Sequence, residues 1–209
     1  PWAFKRYGQC GLTVSDIFPN IGAMADELCV VRSMTSEFSV HNSANFFLHT
    51  GTGVQGRPSM GAWMSYGLGT QATDLPGFVV LNGGLVPSGG WDNFGNGFLP
   101  ASHQATVFKA GREPLADIRP REGRPGLQQA KLGLLHKLDR GVLDRFGHVD
   151  ELESAIANYE MAYRMQSAVP ELIDIKGETA ATRRLYGLED KYEHTRTYGL
   201  QCLMARRLV

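Results

Sequence analysis

No apolar run in this sequence approaches the roughly 20 residues that a membrane-crossing helix needs, so no helical span is expected within it. Neither sign of charge is in excess: Lys plus Arg number 21, as do Asp plus Glu. That balance removes the electrostatic case for a nucleic-acid partner or an anionic membrane surface. Cysteine is scarce. Cys10, Cys29 and Cys202 are odd in number and far apart, which excludes metal-type Cys spacing and argues against a disulfide framework. Free, buried thiols are the expected state, with a single bridge left open. No internal repeat is present. There is no Met before Pro1, and the amphipathic stretch Tyr198 to Val209 has no Gly, Asn or polar turn after it. Both ends are therefore expected to be cuts in a longer chain.

The sequence does have enough material for one sizeable domain. It has 209 residues, 43% hydrophobic and 20% charged, the proportions of an ordinary globular core and surface. Charge is spread unevenly, with ten charged side chains in the first 100 residues and 32 in the remaining 109. A charge-poor, Gly-rich half suits a buried sheet, and a charge-rich half suits surface helices. Three parts follow within a single domain: sheet-forming 1–81, a Gly/Pro-rich loop at 82–126, and helical 127–209.

In the first part, Ser15 is placed to cap a helix running to Glu27, with Ile17, Ile21, Met24 and Ala25 on one face. Leu28 to Arg32 reads as a buried strand. Asn42 to Thr50 reads as a helix stopped by Gly51, and Ser59 to Leu68 as a helix capped by Ser59. Gly77 to Leu81 reads as a second buried strand. This alternation predicts a parallel sheet with helices on its faces. Residues 82–126 carry Gly83-Gly84, Gly89-Gly90, Gly95, Gly97 and five prolines, so little regular structure is expected there. Trp91, Phe94, Phe98 and Leu99 call for burial. Farther on, helices are predicted over Leu127–Leu138, Val149–Ser167, Thr179–Leu185 and Asp190–Val209. Leu152, Ile156, Tyr159 and Tyr163, with Met161 and Met165 alongside, form a core-packing stripe.

Ligands of open α/β sheets sit beyond the carboxyl ends of the strands. The segment from Arg32 to Gly51 follows the first expected strand. It holds the hydroxyls of Ser33, Thr35, Ser36 and Ser39 and the pair His41-Asn42. His41 falls at a helix start, where unpaired N–H groups and the helix dipole favour an anion. His41, Asn45 and His49 recur every four residues and share a helix face, which suits a metal or an oxyanion. Plainer roles stay open: Ser and Asn at helix starts are commonly caps, and a helical His is commonly a hydrogen-bonded structural residue.

Arg32-Ser-Met-Thr35, His41-Asn42, His49-Thr-Gly51 and Gly56-Arg-Pro-Ser-Met-Gly61 together resemble the bacterial sulfatase-like family DUF1501. So do Leu75-Pro-Gly-Phe-Val-Val80, Gly97-Phe-Leu-Pro100, Tyr159 to Gln166, Pro170 to Asp174 and Cys202 to Leu208. The likeness spans nearly the whole chain in order. It implies an alkaline-phosphatase-like, doubly wound, mostly parallel α/β sheet, here incomplete, with a helical C-terminal half. It also implies export and metal-dependent hydrolysis of sulfate or phosphate esters. In that superfamily the nucleophile opens a helix nine residues before the Thr of a Thr-Gly pair. Here the pair is Thr50-Gly51, and the position holds His41.

Ser, Thr or a formylglycine precursor is usual at that position, so His41 is a departure from the pattern. His41 is accordingly expected as nucleophile, general acid or tentative ligand of a divalent zinc or calcium ion whose other ligands lie outside the chain. Thr35, Asn42, Asn45, Trp91 and Asp92 are the expected substrate contacts, and the Gly83–Gly97 loop would wall the pocket. The rival expectation is an exported, non-catalytic protein of the same fold that binds anionic glycans.

Overall fold

The structure is a computed structural model that describes residues 2–109, 114–116, 118, 119, 123, 124 and 126–209. It divides into two compact units, residues 1–37 and 38–209. Both contain helix and small sheets, so the chain is of mixed α/β class.

The first unit is a hairpin with a short helix. Strands β1 (Phe4–Tyr7) and β2 (Leu12–Ser15) pair antiparallel, Phe4 opposite Ser15 and Tyr7 opposite Leu12. The connecting turn is held from below by Asp26, whose carboxylate accepts from Gln9 N at 2.9 Å and Cys10 N at 2.8 Å. These two N–H donors, Cys10 first, stabilise the anion and hold the Asp26 carboxyl below the usual carboxylate range.

The helix expected from Ser15 to Glu27 is not formed as one element. Ser15 ends β2, and helix α1 covers only Pro19–Ala23, with a 3-10 turn at Ala25–Glu27. Pro19 suits a first helical turn, and the break at Met24 lets Asp26 reach back to the hairpin. The strand expected at Leu28 to Arg32 is likewise absent: these residues are irregular, and Leu28, Val30 and Val31 are exposed. A β-branched run becomes a strand only where a neighbour supplies hydrogen bonds, and none pairs with it among the described residues. The thiols are free as expected, but Cys10 and Cys29 are exposed rather than buried.

In the second unit the local signals hold closely. Helix α2 is His41–Thr50, closed by Gly51 in the left-handed conformation (φ 76°). Helix α3 is Met60–Leu68, with Ser59 Oγ accepting from Ala62 N at 3.3 Å. Ser59 is 2% exposed, so Ser59→Ala should cost about 1 kcal/mol of stability in a denaturant titration. An unchanged midpoint would mean that the cap is replaced by water.

Strand β3 (Val79–Asn82) begins two residues later than predicted, and it pairs in parallel with β4 (Thr106–Lys109), Leu81 opposite Phe108. The Gly/Pro-rich segment between them is more ordered than expected, with 3-10 turns at Gly90–Phe94 and Ala101–His103. Gly97 (φ 55°) abuts the Arg57–Pro58 backbone so closely that a β-carbon would overlap it. Ser59 N donates to Gly95 O at 3.0 Å. These contacts fasten the segment to the entry of α3. The rest of the predicted loop, at 110–113, 117, 120–122 and 125, lies outside the described residues.

Helices α4 (Leu127–Phe146), α5 (Asp150–Ile173), α6 (Ala180–Leu185) and α7 (Glu193–Leu208) complete the chain. Helix α5 runs six residues past its predicted end and through Pro170. Proline removes a helix hydrogen bond, but Val169 and Leu172 are buried in the core there. Arg207 donates to Glu171 O in the last turn of α5 at 3.1 Å and to Asp174 O, just past its end, at 2.8 Å. Packing and capping outweigh the lost bond. The core gathers Phe108, Ile118, Met165, Val169, Leu172 and Met204. Of the α5 stripe, Met165 is in this core and Met161 packs against it, whereas Tyr163 is exposed. Among the described residues no helix is long and apolar enough to cross a membrane.

His148 guards the start of α5. Its Nδ1 lies 2.5 Å from Glu153 Oε1 and its Nε2 2.6 Å from Asp150 Oδ1. The bond and charge of Glu153, then those of Asp150, raise its pKa above the ordinary imidazole value. A raised folded pKa means that the contact stabilises fully below about pH 6.5 and is lost as pH rises through the folded value. An NMR titration should place His148 above a model imidazole in wild type and nearer to it in Glu153→Gln. Equal values in the two would refute the pairing.

Candidate functional site

Helix α2 positions three of the expected residues, His41, Asn42 and Asn45. Val40, in extended conformation, precedes the helix without giving it a side-chain cap, and the first turn holds no acidic residue. Its leading N–H groups therefore keep the partial positive charge of a helix start. His41 is the first helical residue and Asn42 the second, both exposed. One turn on, Asn45 Nδ2 donates to Ser88 O at 3.0 Å. A further turn on, the His49 ring meets Phe94 edge-on at 4.9 Å. Burial lowers the His49 pKa, so the ring is held neutral around pH 7.

The predicted shared face of α2 is therefore real, and its last two members, Asn45 and His49, pack on the Gly-rich segment. That segment carries Trp91 and Asp92 on the Gly90–Phe94 turn. Trp91 is exposed and tilted against Phe94, with ring centroids 6.3 Å apart. The Asp92 carboxylate accepts a hydrogen bond from Gln55 Nε2. Its conformation is set by Asn93, which sequence reasoning passed over. Asn93 is fully buried, and its Nδ2 donates to Ser88 O at 3.0 Å and Gly90 O at 2.9 Å. Ser88 O thus receives both Asn45 and Asn93, which ties the turn to α2. Thr35 is exposed and irregular in the first unit.

The Thr50-Gly51 pair closes the helix. Thr50 Oγ1 donates to Phe46 O at 2.8 Å, and Gly51 N to Phe47 O at 2.9 Å. A groove of about 540 Å³ between α2 and α3 is lined by this end, including His49, Thr50 and Gly51, together with Trp63 and Met64. Among the described residues no three His, Cys, Asp or Glu side chains come together as a metal ion would require.

A second constellation lies outside these residues. Ser65 Oγ on α3 and His103 Nδ1 on the Ala101–His103 turn stand 3.0 Å apart. They are 38 positions apart in sequence, and no local spacing motif joins them.

Over residues 1–209 the chain matches the model of a family described as "Protein of unknown function (DUF1501)". No curated protein and no solved structure matches it.

Proposed function

The chain belongs to the DUF1501 family, and from that premise we propose that the intact, exported protein is a sulfatase- or phosphatase-like hydrolase of anionic esters. The observation that supports this reading is the start of α2. His41 is exposed beside leading N–H groups that receive no side-chain cap from Val40, in a first turn without an acidic residue. An ester oxyanion is the natural complement of such a helix end. His41 is then nucleophile or general acid, Asn42 hydrogen-bonds the oxyanion, and Asn45 holds the covering segment through Ser88. Trp91 and Asp92 belong to that cover. The parallel pair β3–β4 would be part of an alkaline-phosphatase-like, doubly wound sheet.

A divalent zinc or calcium ion belongs to this reading, with His41 as one ligand. The described residues do not supply the set it would need, so no step is assigned to it.

The test is a screen of sulfate and phosphate esters with the intact protein, comparing wild type with His41→Ala. Loss of a group active in proton transfer should lower turnover by about 100-fold or more. Equal activity in the two proteins would remove His41 from the reaction. His41 at a position where Ser or Thr is usual also favours a second reading, a binding protein for anionic glycans. Calorimetric binding of a sulfated glycan without turnover would select it, and measurable hydrolysis would exclude it.

A further inference from the structure

Ser65 and His103 form a hydroxyl–imidazole pair at 3.0 Å, held by elements that are themselves fixed. Ser65 sits within α3, whose entry is capped by Ser59. His103 closes a 3-10 turn through His103 N to Pro100 O at 3.0 Å. Its ring stands edge-on to Tyr66, the residue after Ser65, with centroids 5.3 Å apart. One helix turn therefore presents both the hydrogen-bond partner and the wall that orients the imidazole. With its proton on Nε2, His103 accepts at Nδ1 and Ser65 donates. That is the arrangement of a serine nucleophile with its base.

The pair is not sealed. Both side chains line a cleft of about 530 Å³ that also includes Thr70, Gly77, Asn158 and Arg164. Gly77 flanks the nucleophile: a β-carbon there would stand 3.4 Å from Ser65 Oγ and 3.1 Å from Thr70 Cβ. The missing side chain leaves room beside the hydroxyl. Arg164 contributes a cation whose nearest described carboxylate, Glu160, is 4.0 Å away. Asn158 contributes an exposed amide.

The geometry points to a second, serine-based activity: hydrolysis of carboxylic esters that carry an anionic group. His103 Nδ1 takes the Ser65 Oγ proton as Oγ bonds to the ester carbon. The carbon–oxygen bond to the alcohol breaks, and the leaving alkoxide receives the proton from His103. Water, deprotonated by His103 in turn, then splits the acyl–Ser65 ester, releases the acid and returns the proton to Oγ. Arg164 pairs with the substrate's anionic group. This activity does not depend on His41.

The test is a fluorophosphonate probe on the whole chain, read by peptide mass spectrometry. The expected result is a label on Ser65 that is absent from Ser65→Ala. Labelling should slow by about 100-fold in His103→Ala and recover with added imidazole. A merely structural hydrogen bond would not show that recovery. No label on Ser65 of folded wild type, or an unchanged rate in His103→Ala, overturns the proposal. For the anionic preference, wild type should hydrolyse para-nitrophenyl hemisuccinate faster than the neutral butyrate, and Arg164→Gln should lose the difference. Equal rates in wild type would remove Arg164 from the site.

Discussion

Gly199→Ala should unseat helix α7 and lower stability by about 3 kcal/mol or more. Gly199 is buried on α7 where the helix crosses the end of α6. A β-carbon at that position would overlap the carbonyl oxygen of Tyr186. This obstacle is backbone, not a flexible side chain that can swing aside. Tyr186 is itself fixed between α6 and the left-handed Gly187 (φ 61°). The helix must therefore move, and much moves with it. Leu203 and Met204, 0% and 2% exposed, leave their seats. Gln201 Nε2 loses Leu81 O on β3, now 2.8 Å away, and Arg207 loses the carbonyls of Glu171 and Asp174 at the end of α5. For a unit of this size the loss corresponds to a fall in melting temperature of roughly 6–12 °C. A change below about 1 kcal/mol would mean that α7 does not rest on Tyr186.

These crossings were the hardest part of the molecule to foresee. Glycine in a helix reads locally as a propensity cost, and nothing near Gly199 in sequence shows that Tyr186 will press on it. The elements written in local signals were legible. Gly51 stops α2 because it accepts the left-handed conformation, and Ser59 starts α3 because its hydroxyl reaches the third N–H. His41 could be placed at a helix start for the same reason. What failed was local signal without a partner. Leu28 to Arg32 has the composition of a strand, but no neighbour pairs with it among the described residues. Ser15 has the chemistry of a helix cap, yet its residue pairs with Phe4 as the end of β2.

The candidate site divides along the same line. The α2 face came from spacing alone, whereas the Ser88–Asn45–Asn93 knot and the Ser65–His103 pair depend on how distant segments fold together. Short polar residues in Gly-rich stretches carry several roles each, and only their partners decide among them. Asn93 became a structural centre because two carbonyls converge on its amide.

Phe108→Ala should have an effect of similar size, and it tests the sheet directly. Phe108 lies on β4 opposite Leu81 of β3 and is 0% exposed. It packs in the core with Met165, Val169 and Leu172 of α5 and Met204 of α7. Truncating a fully buried Phe removes its transfer free energy and leaves a cavity, at a cost of about 3–5 kcal/mol. Typical domains are stable by only about 5–15 kcal/mol, so the variant should be near its limit at room temperature. Urea denaturation should show a lower midpoint with an unchanged slope, the mark of a cavity in an otherwise intact fold. Phe108→Leu, which leaves a smaller void, should recover much of the loss. The two β4 residues before Phe108, Thr106 and Val107, line the cleft that holds Ser65 and His103. A loosened β4 should therefore also slow fluorophosphonate labelling of Ser65, and Phe108→Leu should restore it in step with stability. If Phe108→Ala costs less than about 1 kcal/mol, β4 is not seated on α5, and the wall of the cleft is lost with it.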